Sequence, residues 1–300
     1  MKNFINIRDI SNKDLKKKIL DAKKKKKLPK LLILVDYGGF PCDLDRIYKL
    51  AKRYNVIVIQ DSSHSLGAKF KNSQIGDCKY SDITVFSFHP VKIITSGEGG
   101  VATTNNKIYF EKMQLLRTHG ITKKRKFFKK KVKHNWHYEQ LALGYNYRMN
   151  DIEAALGISQ LKRINKNLKS RREIAKNYFN NLNSRITTIK YDKNVKSSFH
   201  LFPILIDKNK AGISRDQMYY FLKKKGINCQ IHYIPIFEHP FHKIEKKIKK
   251  KLYPNSLKFY QTTLSIPMYN GLTNKEQKYV IHTINGKLRN GYSNNYSKKR

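Results

Sequence analysis

The sequence predicts an α/β protein with a mostly parallel sheet covered by helices. The run LLILVD from Leu31 is apolar but too short for a helix, so it is assigned as a buried strand. A glycine turn at Gly38 and Gly39 follows, then a segment with apolar residues at helical spacing, DLDRIYKLAKRY, and then the apolar run Val56–Ile59. Strand, helix and strand in one short stretch form a βαβ unit, whose strands are expected to be parallel and covered on both faces.

Two more strands and a helix are predicted after this unit. The strands are Ile83–Phe86 and Val101–Thr103, which flank a glycine-rich turn, and the helix is Asn106–Arg117. The basic and aromatic segment 122–138 has no clear period, which is typical of an exposed loop. These elements extend the predicted sheet by two strands.

A long helix is predicted to connect this part to a smaller α+β domain. Asp151 is assigned as its N-cap, because an Asp carboxylate can accept a hydrogen bond from a first-turn N–H, and the apolar pattern continues past Leu161 toward Tyr178. The pattern of the second half predicts strand, helix and strand at Ser198–Ile206, Arg215–Lys225 and Ile227–Tyr233. We therefore expect domains at residues 1–165 and 166–300.

Composition limits the class of protein. With 300 residues and 39% hydrophobic content, the chain can bury a sizeable core without disulfides or metals. Cys42, Cys78 and Cys229 are odd in number and not closely paired, so neither a disulfide framework nor a metal or CxxC redox site is predicted. No stretch has the roughly 20 apolar residues of a membrane helix, and the first residues lack the order of a signal peptide. We therefore expect a cytoplasmic protein without a membrane partner.

The charge balance is strongly basic, at +42 from 63 Lys+Arg against 21 Asp+Glu. The densest runs are at 23–27, 123–126, 129–131 and 246–251, and they contain Lys far more than Arg. Such runs are usually solvated faces, and abundant Asn, Ile and Tyr indicate a compositional bias. A nucleic-acid partner is therefore disfavoured, although a surface that attracts polyanions, or nucleotide-linked anions, is the alternative.

Four residue types suited to one kind of chemistry follow two of the predicted strands. Asp61 ends the strand VIVIQ, and His64 lies three residues later; Ser87 follows the next strand, and Lys92 comes five residues after it. Ligands collect at the carboxyl ends of parallel strands. A carboxylate, an imidazole, a hydroxyl and an amine in one crevice suit a phosphorylated aldehyde cofactor held by a lysine. Gly97, Gly99 and Gly100 are predicted to need a positive φ or a close backbone approach.

Five segments carry a resemblance to a known family: VIQDSSHSLGAKF, DITVFSFHPVKIITSGEGGVATTN, LLRTHGI, LGYNYRMNDIEAALGISQLKRI and GINCQIHYIPI. In order, and over most of the chain, they resemble the DegT/StrS family of sugar aminotransferases, which have the fold-type-I architecture of enzymes that use pyridoxal 5'-phosphate (PLP). The resemblance implies that Lys92 forms the Schiff base with PLP and later moves a proton. It further implies that Asp61 pairs with the pyridine nitrogen, that His64 lies near the ring's phenolic oxygen, and that Ser87 binds the phosphate.

The resemblance also implies a partner, a substrate and a reaction. Asn146 matches an asparagine that reaches the phosphate of the other subunit's cofactor, so a homodimer with shared active sites is expected. His232 and Tyr233 match a segment near the sugar nucleotide. The reaction would transfer an amino group, with glutamate as donor, to the 4-keto carbon of a UDP-linked 6-deoxy sugar, in surface-glycan or nonulosonic acid biosynthesis.

The chain departs from the family at its beginning. Relatives carry about a hundred further residues there, including a turn whose amides bind the cofactor phosphate at a helix N-terminus. Residues 1–30 are instead interpreted as a charged lead-in, so we expect an N-terminally truncated cofactor domain over 1–165, loosely held PLP, and completion by a separate N-terminal fragment as one alternative. The competing functional hypothesis is an inactive, basic nucleic-acid-binding or interaction protein on the same fold. A dehydratase of the same family is disfavoured, because in it a histidine replaces the lysine that is present here as Lys92.

Overall fold

The computed structural model of the chain describes residues 4–5, 12–132, 134–189, 192–244 and 253–290. It contains two compact units. The unit that we call N-terminal comprises residues 9–37 and 41–164, and the C-terminal unit comprises 1–8, 38–40 and 165–300. In chain order, the helices and strands are β1 (Phe4–Ile5), α1 (Asn12–Lys24), β2 (Leu31–Val35), α2 (Leu44–Arg53), β3 (Ile57–Asp61), β4 (Lys69–Phe70), β5 (Ser73–Gln74), β6 (Ile83–Ser87), β7 (Gly100–Thr103), α3 (Lys107–Leu116), β8 (Ile121–Thr122), β9 (Glu139–Gln140), α4 (Asp151–Leu161), α5 (Ile164–Asn181), β10 (Thr188–Ile189), β11 (Val195–Lys196), β12 (Phe202–Leu205), α6 (Lys208–Ala211), α7 (Arg215–Lys224), α8 (Pro240–Ile244), α9 (Pro254–Thr262), β13 (Thr263–Ile266) and α10 (Asn274–Asn290).

The N-terminal unit is built on a four-stranded sheet in the order β2-β3-β6-β7. Strands β2, β3 and β6 are parallel, whereas β7 returns antiparallel to β6. The predicted βαβ unit is confirmed, with α2 as the helix between β2 and β3 and in contact with β3. The mostly parallel sheet of the predicted fold class is therefore present.

The two faces of this sheet differ in burial. Leu34, Val58 and Phe86 are buried on one face. On the other face of β2, Ile33 is 59% and Val35 is 39% exposed, and the facing residues of β3 and β6 are only partly buried. Because side chains alternate between faces along a strand, one face of the sheet carries the core and the other is open in the described residues.

The C-terminal unit has a separate hydrophobic core around the antiparallel pair of β12 and β13. Tyr178 of α5, Leu222 of α7 and Ile284 of α10 are fully buried in this core. Burial of large side chains of this kind contributes about 1.5–3 kcal/mol each to the free energy of unfolding. Helices α5, α7 and α10 are therefore stabilised by the core that they share with the strand pair.

One prediction about a helix is wrong, and one helix was not predicted. The charged lead-in before Leu31 contains α1, which spans Asn12–Lys24 and buries Leu15 and Ile19. The long helix predicted through Leu161 is two helices, α4 and α5, separated by Lys162 and Arg163. Apolar spacing is the same on both sides of a short break, so periodicity alone does not reveal it.

The strand predicted at Ile227–Tyr233 is also wrong. Only Gln230 of this segment forms a β-bridge, to Ser265, and the rest of it is irregular. The strand that pairs with β12 is β13, which the sequence analysis did not predict. The sequence of β13, TLSI, does alternate polar and apolar residues, but four residues are the shortest run in which alternation indicates a strand, and all four are buried.

Three of the four basic runs lie at the surface. Every residue in 23–27, 123–126 and 129–131 is exposed, as expected for solvated faces, and 246–251 lies outside the described residues. Within the described part of the chain, no helix has both the length and the apolar character needed to cross a membrane.

Helix α4 begins one residue earlier than predicted, with Asn150 as its N-cap and Asp151 as its first helical residue. The Asn150 side chain accepts a hydrogen bond from the Glu153 amide at 2.9 Å, and the Glu153 carboxylate accepts one from the Asn150 amide at 3.2 Å. This reciprocal pair is a capping box, which satisfies two otherwise unpaired backbone donors.

We predict that Asn150→Ala will speed amide hydrogen exchange in the first turn of α4 about fivefold, because loss of an N-cap costs about 1 kcal/mol. Hydrogen exchange measured by NMR at Glu153 and Ala154 checks this. Asp151→Ala is the matched control, since it removes a carboxylate but no capping hydrogen bond, and its effect should be smaller. Equal effects of the two variants would contradict the assignment of the cap.

Candidate active site

Lys92 lies in a loop that joins β6 to β7. Ser87, the last residue of β6, pairs with Gly100 of β7, and the Phe88 amide donates to the Gly99 carbonyl at 2.9 Å. The Lys92 amide donates to the His89 carbonyl at 2.9 Å. The next two residues, Ile93 and Ile94, are buried. The backbone is therefore fixed on both sides of Lys92, so its side chain starts from a defined position.

The predicted roles of the three glycines in this loop are confirmed. Gly97 and Gly99 have φ values of +85° and +135°, which side chains with a Cβ rarely adopt. A Cβ on Gly100 would lie 2.5 Å from the Phe86 carbonyl oxygen. The loop can close beside Lys92 only because these positions carry no side chain.

Asp61 ends β3 on the half-exposed face of the sheet. It pairs in register with Val35 of β2 and Val85 of β6, so the strand ends of the sheet surround its carboxylate. One carboxylate oxygen accepts hydrogen bonds from the Ser63 amide, at 3.0 Å, and from the Ser63 hydroxyl. The carboxylate is thereby oriented, and partial burial leaves it open to a ligand.

Lys92 is half-buried and interacts electrostatically with Asp61. Burial lowers the pKa of the Lys92 ammonium, and the negative charge of Asp61 opposes that shift in part. A lower pKa increases the fraction of neutral amine, which is the form that attacks a carbonyl carbon. Among the predicted site residues, Lys92 and Asp61 are thus within range of each other's charge.

His64 and Ser87 lie in the same unit as this pair. His64 is only 7% exposed, and its ring centre is 6.3 Å from that of Tyr37. Ser87 is half-buried at the end of β6, on the face of the sheet that Asp61 also occupies. Its hydroxyl oxygen accepts a long hydrogen bond, of 3.4 Å, from the His89 amide.

Sequence reasoning missed Asp36, the residue after β2. Its carboxylate is fully buried and accepts hydrogen bonds from the Gln60 amide group at 2.7 Å, the Ser62 hydroxyl at 2.8 Å and the Ser65 hydroxyl at 2.7 Å. The Cys42 amide donates to its second oxygen at 3.3 Å. The signal was present, since Asp36 ends the run LLILVD as Asp61 ends VIVIQD.

Asn146 contacts a different part of the N-terminal unit. Its backbone bridges to Thr118, beside hydrogen bonds from the Tyr145 amide to Leu116 and from the Tyr147 amide to Arg117. Gly120, with φ of +71°, allows this approach, because a Cβ there would lie 1.8 Å from the Ala142 carbonyl oxygen. The Asn146 side chain is exposed, and its described contacts do not include Lys92 or Asp61.

His232 and Tyr233 belong to the C-terminal unit. The His232 Nδ1 atom lies 2.8 Å from the hydroxyl oxygen of Ser265, a buried residue of β13, which orients the imidazole. The Tyr233 ring packs against the His232 ring at 4.7 Å and is half-exposed. The two side chains therefore form one oriented polar and aromatic pair.

A parallel sheet with a lysine and a carboxylate at its carboxyl edge defines a candidate site for an aldehyde cofactor. The sequence pattern of the DegT/DnrJ/EryC1/StrS aminotransferase family matches residues 7–285. The chain therefore belongs to this family.

Named relatives agree with that assignment. The UDP-4-amino-4,6-dideoxy-N-acetyl-beta-L-altrosamine transaminase of Campylobacter jejuni is 38% identical over 96% of this chain and 74% of its own length. An uncharacterized protein of Methanocaldococcus jannaschii is 41% identical over 85% of this chain and 66% of its own length. The chain thus spans about two thirds to three quarters of the length of these relatives.

Solved structures show the same fold. Helicobacter pylori PseC, an aminotransferase involved in the biosynthesis of pseudoaminic acid, matches with a TM-score of 0.77 and 30% identity, over 86% of this chain and 66% of that one. A Streptococcus pneumoniae protein described as a sugar aminotransferase, solved in a PMP form, matches with a TM-score of 0.81 and 27% identity, over 94% and 73%. The fold-type-I assignment is therefore confirmed.

We predict that Asp36 makes stability depend on pH. Burial raises the pKa of Asp36 from 3.8 to about 6, although the hydrogen bonds from Ser65, Ser62, Gln60 and Cys42 lower it. Because the folded-state pKa is above the unfolded-state value, the stabilising contribution is complete below pH 3.8 and is lost as the pH rises through 6. The loss amounts to about 3 kcal/mol, at roughly 1.4 kcal/mol per pKa unit.

Urea denaturation of the wild type and of Asp36→Asn between pH 4 and pH 7.5 checks this prediction. Asn does not titrate, so the free energy of unfolding of the wild type relative to the variant should fall as the pH rises. A difference that stays constant, or that rises with pH, would contradict it.

Proposed function

We propose that this chain belongs to an aminotransferase that uses PLP and acts on a nucleotide-linked 4-keto-6-deoxy sugar. The observation that carries the proposal is the half-buried Lys92 amine, within electrostatic range of the Asp61 carboxylate at the carboxyl edge of the sheet. An amine with a lowered pKa next to an oriented carboxylate is the pairing that a PLP site needs. Membership of an aminotransferase family supports the same chemistry.

The residues present fit PLP by their donor types. Lys92 would hold the aldehyde carbon covalently, and Asp61 would keep a proton on the pyridine nitrogen. The Ser87 hydroxyl would donate to the phosphate, and His64, held in the interior beside Tyr37, would lie near the ring. When bound, PLP supplies an electron-accepting ring. The Lys92 Nζ atom would also act as the base that removes a proton and returns it.

The substrate class is proposed from the named relatives. The Campylobacter jejuni relative is named for a UDP-linked 4-amino-4,6-dideoxy sugar, and PseC is described as an aminotransferase of pseudoaminic acid biosynthesis. We extend a UDP-linked substrate, with glutamate as amino donor, to this chain. His232 and Tyr233 would contact the sugar nucleotide, since the Ser265 hydroxyl orients the imidazole and the phenol is accessible.

The surface around Asn146 supports a homodimer with shared sites. Leu143 is 89%, Tyr147 is 71% and Ile152 is 85% exposed, and no residue of α4 is buried. Several large, exposed apolar side chains within one stretch of the sequence are typical of a subunit interface. Asn146, exposed within this surface, would then serve the cofactor of the partner subunit.

Removal of the lysine tests the cofactor assignment. With PLP added, the wild type should show the absorbance band of lysine-bound PLP, and borohydride reduction should leave the phosphopyridoxyl group on the Lys92 peptide, as read by mass spectrometry. Lys92→Ala should lose the band, because it lacks the amine that lies within electrostatic range of Asp61. Lys79→Ala, which removes an exposed lysine of the same unit, is the matched control and should keep it. An unchanged band in Lys92→Ala would contradict the assignment.

Defined heterodimers test the shared site. If each site combines Lys92 of one subunit with Asn146 of the other, a heterodimer of Lys92→Ala and Asn146→Ala subunits has one intact site of two. Its transaminase activity should be about half that of the wild type.

The control for this experiment pairs a wild-type subunit with one that carries both substitutions. In the shared arrangement that heterodimer has no intact site and should be inactive. If each site were contained in one subunit, the two heterodimers would exchange their activities. Purification through two different affinity tags separates the heterodimers from the homodimers.

A further inference from the structure

Asp36 and Asp61 end neighbouring parallel strands but face opposite sides of the sheet. The Asp36 amide donates to the Asp61 carbonyl at 3.0 Å, which ties the two strand ends together. Val35 pairs with Asp61 on the open face, so the next residue, Asp36, turns to the buried face, where it meets Gln60. The buried carboxylate thus lies directly behind the strand end that carries the site carboxylate.

Three of the four hydrogen-bond donors to Asp36 lie on the segment Gln60–Ser65. Gln60 precedes Asp61, Ser62 follows it, and Ser65 follows His64. All three converge on one carboxylate oxygen at 2.7–2.8 Å. The Asp36 side chain therefore binds this segment at three points: before Asp61, between Asp61 and His64, and after His64.

A purely packing role explains this arrangement poorly. Full burial of a carboxylate is unfavourable unless hydrogen bonds compensate it, and an apolar side chain would fill the space without that penalty. The hydrogen bonds given to Asp36 by the described residues come from neutral groups, so no ion pair accounts for the carboxylate. What the carboxylate does provide is a single acceptor for three side chains of one segment.

We infer that Asp36 is a positioning residue, whose carboxylate holds Gln60–Ser65 so that Asp61 and His64 keep the orientation that the cofactor requires. This inference deepens the proposed function and rests on it for the cofactor. Its structural part, the hold of Asp36 on the segment, does not depend on any ligand.

Hydrogen exchange of the cofactor-free protein tests the hold on the segment. The Ser62 amide is bonded to Val85, the Ser65 amide to Ser62 and the Ala68 amide to Ser65, so these amides report local opening. Asp36→Asn keeps the size of the side chain but replaces one acceptor oxygen with an NH2 group. In either orientation of the amide, that NH2 group faces at least one of the groups that donate to Asp36. Exchange in the peptide that covers 61–68 should become at least about tenfold faster.

Asp82→Asn is the matched control. Asp82 also binds β3 with its carboxylate, through the Val58 amide at 2.8 Å, and it forms an ion pair with Lys52. Its contact lies at the other end of the strand from Asp61. Asp82→Asn should therefore leave exchange in the peptide 61–68 unchanged.

The affinity for PLP tests whether the hydrogen bonds of Asp36 affect cofactor binding by Asp61 and His64. Titration followed by absorbance should give a Kd about tenfold higher for Asp36→Asn than for the wild type and Asp82→Asn. Ser65→Ala removes one donor and keeps the carboxylate, so its effect on the Kd should be smaller. Combined with Asp36→Asn it should add little, because both substitutions break the same contact.

The outcomes separate the inference from the proposed function. Unchanged exchange in Asp36→Asn overturns the inference, and so does faster exchange with an unchanged Kd for PLP. If the wild type shows no PLP band, the proposed function fails and the exchange comparison alone decides the role of Asp36. If Asp36→Asn does not fold, Ser65→Ala is compared with Asp82→Asn by the same two measurements.

Discussion

The candidate site depends on the parallel register of β2, β3 and β6. Parallel strands place their carboxyl ends at one edge, and here Val35, Asp61 and Val85 are paired in register. The same register places Ser87, two residues beyond Val85, at that edge, where the chain turns into the loop with Lys92. Residues far apart in sequence thus become neighbours through backbone pairing alone, before any side chain contributes.

Much of this could be predicted from the sequence, because local patterns determine it. Short apolar runs that end in Asp or Ser identify β3 and β6. A lysine five residues beyond Ser87 must lie near the carboxyl end of β6. The glycines of the loop were predictable for a related reason, since Gly97 and Gly99 have backbone conformations that other residues rarely adopt. In each case the physical constraint acts within a few residues.

Features that depend on distant residues could not be predicted in the same way. The position of Asp36 at a strand end was visible in the run LLILVD, but its burial and its three donors, which lie 24, 26 and 29 residues away, were not. Asn150 and Asp151 have similar capping ability, and which of them caps α4 is decided by backbone dihedrals that composition does not reveal. Strand β13 is buried along its whole length, so its partner β12 identifies it better than its own pattern does.

The two carboxylates at the sheet edge show how one register produces two different environments. Asp36 lies on the closed face, where burial raises its pKa to about 6 and neutral donors saturate it. Asp61 lies on the open face, where Ser63 orients the carboxylate and Lys92 provides an opposite charge. Alternation of side chains along a strand is enough to separate them. Val35 is the residue paired with Asp61 and shares its face, so Asp36, one residue further along, points to the opposite face. Only the carboxylate on the open face can meet a ligand. The buried carboxylate acts on it through its hydrogen bonds to the segment Gln60–Ser65, to which Asp61 belongs.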